Sequence, residues 1–125
     1  MIGKLAFAVA AALTVTLGPL SPGGAGATVR AAELIMLEQP GCRWCARWNE
    51  EIAPAYPKTE EGRRAPLRRV DITKIWPADL KEISGDIYTP TFILVENGQE
   101  IARLRGYPGD HFFWPMLGEM LAKLP

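Results

Sequence analysis

Apolar residues recur along the chain with two different periods, and each change of period marks the edge of an element. Positions 33–37 (ELIML) form a short apolar run closed by Pro40-Gly41, which predicts a buried strand. From Arg43 to about position 56, Trp44, Cys45, Trp48, Ile52 and Tyr56 recur at helical steps. That spacing predicts a helix with one apolar stripe, kinked or ended by Pro54. Positions 58–66 are charged and carry Gly62, so they predict a solvated connection. Alternation over 67–72 (LRRVDI) predicts a second strand, and 77–84 a short helix between Pro77 and Gly85.

The last forty residues give clearer signals. Positions 91–96 (TFILVE) are rich in β-formers, and Asn97-Gly98 predicts a two-residue hairpin, because both central positions of such a turn need positive φ. Alternation over 100–105 supplies the partner strand, and Gly106 to Gly109 a turn. Asp110 then caps a closing helix with Phe113, Leu117, Met120, Leu121 and Leu124 on one face. The predicted fold class is α/β, in the order β-α-β-α-β-β-α. A mixed four-stranded sheet carries the hairpin strand at its edge and helices on both faces.

The start of the chain follows another logic. Lys4, an uncharged apolar run over 5–17, a cluster of Gly and Pro, and Ala25-Gly26-Ala27 are the parts of a secretory signal peptide. The apolar run falls short of the roughly 20 residues that a membrane-spanning helix needs. Residues 1–27 are therefore expected to be removed, leaving 28–125 as one exported domain, and the expected location is the periplasm. Val29-Arg30-Ala31 offers a second possible cut. Export also places the two cysteines in an oxidising compartment.

Composition narrows the choice by exclusion. Fourteen Lys+Arg balance fourteen Asp+Glu, so a strongly basic nucleic-acid surface is not expected. Four arginines at 63, 64, 68 and 69 cluster, but Glu60 and Glu61 dilute them into a solvated face. Two cysteines and one histidine cannot complete a four-ligand zinc site, and Ala46 stands where c-type haem attachment needs His. His111 is assigned no catalytic role. No cofactor is expected beyond the cysteines themselves, and the domain is expected to be monomeric.

Cys42-Arg43-Trp44-Cys45 falls where the first strand has ended and the first helix begins. Unpaired N–H groups and the positive end of the helix dipole stabilise a thiolate there. Cys42 is thus the expected exposed nucleophile, with Arg43 adding a fixed positive charge, and Cys45 is the buried thiol that resolves a mixed disulfide. Copper carriage by two thiolates and an inert structural disulfide are the alternatives to exchange. Trp44 is expected at the surface as a docking side chain and Trp48 in the core. Thr89-Pro90-Thr91 precedes the third strand, either as plain punctuation or as a cis-proline loop. In the second case the Thr89 backbone could pair with a partner chain.

Together the strand–helix C-x-x-C, Thr89-Pro90-Thr91, Glu96-Asn97-Gly98 and Gly106 resemble the thioredoxin superfamily, across 33–124. The resemblance implies a thioredoxin-like fold, Cys42 as nucleophile, Cys45 as resolving thiol, a redox-active Cys42–Cys45 disulfide, and Pro90 as the cis-proline. More narrowly, Gln39 to Cys45 followed by Trp48, Glu51-Ile52-Ala53-Pro54 and Tyr56 is similar to the small periplasmic thioredoxins of bacterial sulfur-oxidation operons, the SoxS type. That group implies a dedicated reductant acting on a protein disulfide or persulfide. Its partner would be the cysteine-bearing carrier of thiosulfate oxidation, with electrons from a membrane thiol transporter. The reverse chemistry, as an oxidant or isomerase, is the rival. Gly41 stands where ordinary thioredoxins have Trp, and Arg43-Trp44 where they have Gly-Pro. Met36 stands where they bury an Asp, leaving Glu38 or water to assist the second thiol.

Overall fold

The computed structural model describes residues 32–125, with positions 3, 10–12 and 18 of the preceding stretch; the rest of the expected export segment, 1–27, lies outside the described residues. The elements are β1 (Glu33–Glu38), α1 (Arg43–Glu51), α2 (Glu60–Arg64), β2 (Leu67–Asp71), β3 (Thr91–Glu96), β4 (Gln99–Arg105) and α3 (Asp110–Leu121). They build a mixed four-stranded sheet in the order β2-β1-β3-β4. β1 runs parallel to β2 and antiparallel to β3, while β3 and β4 form the hairpin. Asn97 and Gly98 both have positive φ, as that turn requires.

Period-two alternation divides the core into two layers. Leu34, Met36, Phe92, Leu94, Ala102 and Leu104 point to one side, where Cys45, Trp48 and Ile52 of α1 and Phe113, Leu117 and Leu121 of α3 cover them. Ile35, Leu37, Val70, Ile93 and Val95 point to the other, under Leu80, Ile83 and Trp76. The second face is not covered by an α-helix. Residues 77–84 form only a 3-10 turn at Ala78–Leu80, because Asp79 is drawn to Arg68 and the Trp76 indole takes the Leu80 carbonyl.

Other boundaries also differ from expectation. α1 ends at Glu51, ahead of Pro54, and the apolar stripe continues through turns into a 3-10 turn at Tyr56–Lys58. The charged connection contains α2. Thr59 caps it by accepting from the Gly62 amide, Glu60 and Glu61 favour its first turn, and Arg63 and Arg64 its last. Only glycine fits at 62, since a Cβ there would stand 1.8 Å from the Tyr56 carbonyl oxygen. The Tyr56 hydroxyl donates to the Ala65 carbonyl across the same contact. Asp110 is the first residue of α3 and not its cap; Gly109, at φ 95°, is the boundary. Phe112, next to the buried Phe113, stands in solvent, whereas Trp114 stacks on Tyr56.

The four arginines do not share one face. Arg68 pairs with Asp79 and Glu33, Arg69 with Glu38, Arg63 with Glu60, and Arg64 donates to the Leu121 carbonyl.

Candidate active site

The chain leaves β1 at Glu38, turns through Gly41 at φ 78°, and enters α1 with Cys42 as the capping residue. The Cys45 amide donates to the Cys42 sulfur at 3.1 Å, so the sulfur occupies the place that a capping oxygen takes on other helices. Cys42 and Cys45 are joined as a disulfide, with Cα atoms 5.2 Å apart. Cys42 is half-buried and Cys45 only 4% exposed, as the order of the two along the helix dictates. Arg43 and Trp44, between them, are exposed, while Trp48 is fully buried.

The Thr89–Pro90 peptide bond is cis. Three hydrogen bonds hold this loop. The Gln39 side chain donates to the Thr89 hydroxyl at 3.0 Å, the Thr91 hydroxyl to the Tyr88 carbonyl, and the Gly106 amide to the Pro90 carbonyl at 2.7 Å. Since the Cys42 amide donates to the Gln39 carbonyl, the cysteine turn and the proline loop share one residue. Among the described residues, the Thr89 backbone amide and carbonyl have no hydrogen-bond partner.

Two concavities flank the disulfide. Trp44, Tyr88, Thr89, Arg105 and Gly106 line one, of about 370 Å³. The other, of about 350 Å³, is lined by both cysteines together with Glu38, Gln39 and Asn49. Arg69 organises that side: it donates to Glu38 at 2.7 Å and Asn49 at 2.8 Å, and lies over the Trp48 ring. Met36, in the place of the acid that ordinary thioredoxins bury, is itself buried with its sulfur 3.7 Å from Arg69.

A second chain of contacts braces Trp44. Tyr107 donates to Glu51, Glu51 accepts from Arg47, and Arg47 lies over the Trp44 ring at 5.6 Å. The bonds from Arg47 and Tyr107 hold the Glu51 carboxyl below its usual range. Burial together with that same bond pushes the Tyr107 phenol upward.

A disulfide at a helix start beside a cis-proline is an arrangement for thiol exchange, and comparison with known proteins agrees. The periplasmic thioredoxin SoxS from Paracoccus pantotrophus, solved in reduced form, is 46% identical. The match covers 74% of this chain and 97% of that one, with a TM-score of 0.67. The chain belongs to the thioredoxin superfamily.

Weaker matches share the fold alone. Trxlp from Edwardsiella tarda is 23% identical over 70% of this chain and 82% of that one, with a TM-score of 0.55. A Malassezia sympodialis thioredoxin is 20% identical over 72% and 75%, with a TM-score of 0.53. No family model matches the chain, and no curated protein does. This thioredoxin is a thiol-disulfide oxidoreductase built on a Cys42–Cys45 pair.

All six residues singled out from the sequence fall around one end of the sheet: Cys42, Arg43, Trp44 and Cys45 on the α1 turn, Thr89 and Pro90 on the facing loop. Sequence reasoning missed Gln39, Tyr88, Arg105 and Arg69. Tyr88 directly precedes the Thr-Pro-Thr signal and could have been found as its neighbour. Gln39 stands in the cysteine motif and Arg69 in the arginine cluster, but their contacts, like that of Arg105, span 19 to 50 positions, and no local pattern announces them.

Proposed function

We propose that this thioredoxin is a periplasmic reductant dedicated to a cysteine-bearing carrier protein of the sulfur-oxidation system. The observation that carries the reading is its 46% identity to a periplasmic thioredoxin, SoxS, across 97% of that protein. The A-x-A segment ahead of residue 28 fits export, and among the described residues no helix is long and apolar enough to cross a membrane. Trp44, exposed beside the sulfurs, and the unpaired Thr89 backbone fit docking of an extended partner strand.

The Cys42 thiolate attacks one sulfur of the partner's disulfide. A Cys42–partner disulfide forms, and the partner's other sulfur leaves with the bonding electron pair as a thiolate. Cys45 loses its proton to solvent water through the open concavity that it lines with Glu38 and Asn49, and attacks the Cys42 sulfur. The partner's second thiolate leaves, and the Cys42–Cys45 disulfide remains. Two electrons have passed to the partner, and a membrane thiol transporter returns them by reducing the pair.

The copper-carrier alternative needs a third soft ligand, and the nearby methionine, Met36, turns its sulfur to a guanidinium. The oxidant alternative uses the same atoms with the opposite electron flow, so potential decides between them. Titration against dithiothreitol should give a value near about −270 mV for a reductant; one near about −120 mV would make the protein an oxidant. In the same assay Cys42→Ser should abolish exchange, and Cys45→Ser should accumulate the mixed disulfide. Full turnover by Cys42→Ser would remove Cys42 from its role.

A further inference from the structure

The cleft beside the cis-proline has two aromatic walls, Trp44 and Tyr88, and among the described residues one charged lining residue, Arg105. Arg105 closes β4 directly opposite Thr91, so strand register fixes it beside the proline loop. Its Nε donates to Asp86 at 2.6 Å, and its guanidinium lies 5.5 Å from the Tyr88 ring centre. Its side chain is 62% exposed, whereas Asp86 is 3% exposed and also takes Arg103 and the Tyr88 amide. The carboxylate therefore sits behind the cation. The two terminal nitrogens of Arg105 have no partner among the described residues.

The opposite wall repeats the pattern, with Arg47 on Trp44 and Glu51 behind it, and Arg43 beside Cys42 has no ion pair among the described residues. Two further acids lie near this end: Glu38 is tied to Arg69 on the far side of the disulfide, and Asp110, at the start of α3, acts on Arg47 and Tyr107 and does not line the cleft. Opposite charges nearly balance here, so selection rests on where donors point and not on a net field.

We propose that Arg105 selects a carboxylate in the partner: the segment carrying the target cysteine is extended and acidic. An apolar neighbour of that cysteine fills the space between Trp44 and Tyr88, while an Asp or Glu takes the two terminal nitrogens of Arg105. A planar guanidinium binds carboxylate with both terminal nitrogens at once, and the bond to Asp86 and the Tyr88 ring hold that plane in place. The proposal rests on the exchange reading above and names the class of partner for the same site.

The test uses the reduced protein and cysteine peptides carried as thionitrobenzoate mixed disulfides, flanked by Asp, Ser or Lys. The rate constant for Asp-flanked peptide should exceed that for Lys-flanked peptide by about tenfold at low salt. About threefold should persist at roughly 0.5 M salt, because a contact pair with two aligned hydrogen bonds loses less to screening than charges held further apart. Arg105→Gln should bring the ratio close to one, Arg105→Lys should keep part of it, and Arg63→Gln, on α2, should leave it unchanged. Equal rates for Asp and Lys peptides, loss of all preference in salt, or a ratio that survives Arg105→Gln would each overturn the proposal. Failure to reduce any peptide would instead remove the exchange reading beneath it.

Discussion

One face of the sheet is packed by rings and helices, the other by aliphatic side chains under an irregular segment. On the first, Trp48 sits among Tyr56, Phe92 and Phe113 with ring centres 5.3–6.1 Å away. On the second, Ile35, Leu37, Ile93 and Val95 meet Leu80 and Ile83, and the covering chain leaves Ile75 and Ile87 in solvent. Only the first face carries the cysteines. A nine-residue helix such as α1 is too short to hold itself in water, so Trp48 and Ile52 must hold it down. The difference shows how this small fold separates its tasks: aromatic packing against α1 and α3 fixes the sulfurs, and the segment over the other face closes the core without touching them.

The largest effect expected from this contrast is at Trp48. Trp48→Ala should cost about 3–5 kcal/mol in denaturant unfolding and slow exchange as well, because α1 loses its anchor. Trp48→Phe keeps most of the ring and removes a buried indole N–H that has no partner among the described residues, so it should fall well short of that loss. Leu80→Ala on the other face should cost about 2 kcal/mol and leave the exchange rate unchanged. If Leu80→Ala slowed exchange as much as Trp48→Ala, the two faces would not be separate in function.

The smallest effect concerns Asp86, at the margin of the thin face. Burial alone would raise its pKa, but the Tyr88 amide, Arg105 and Arg103 together hold it below its usual value of 3.8. A carboxyl depressed in the folded state contributes stability above its unfolded pKa and loses it as pH falls through the folded one. Unfolding midpoints should therefore drop as pH falls below about 4, and Asp86→Asn should lessen that drop. Glu51 and Asp71 are depressed in the same direction, so some acid sensitivity should remain. An unchanged acid profile in Asp86→Asn would show that this carboxylate is not held as described.

Much of the thick face was legible in the sequence, because its signals are local. The three-residue cysteine spacing after Pro40-Gly41, the Trp48–Ile52–Tyr56 stripe, the Asn97-Gly98 turn and the Phe113–Leu117–Leu121 face each follow from backbone geometry alone. The thin face was not. Pro77 and Gly85 bracket a plausible helix, yet the pull of Arg68 on Asp79 and of Trp76 on the Leu80 carbonyl leaves one 3-10 turn. α2 was hidden for the opposite reason, since its capping Thr59 and flanking charges read as solvated chain until Gly62 is seen under the Tyr56 carbonyl. Within the site, the cysteines and the proline lie in short motifs. Gln39 reaches Thr89 only after fifty residues of chain have folded back, and Arg105 reaches the proline loop only through strand register.

The central claim is that α1 holds one sulfur as an accessible anion and buries the other. Reduced protein treated briefly with iodoacetamide at about pH 6 and mapped by mass spectrometry tests it directly. The account predicts label on Cys42 in about tenfold excess over Cys45. Slow labelling, equal at both positions, would contradict it.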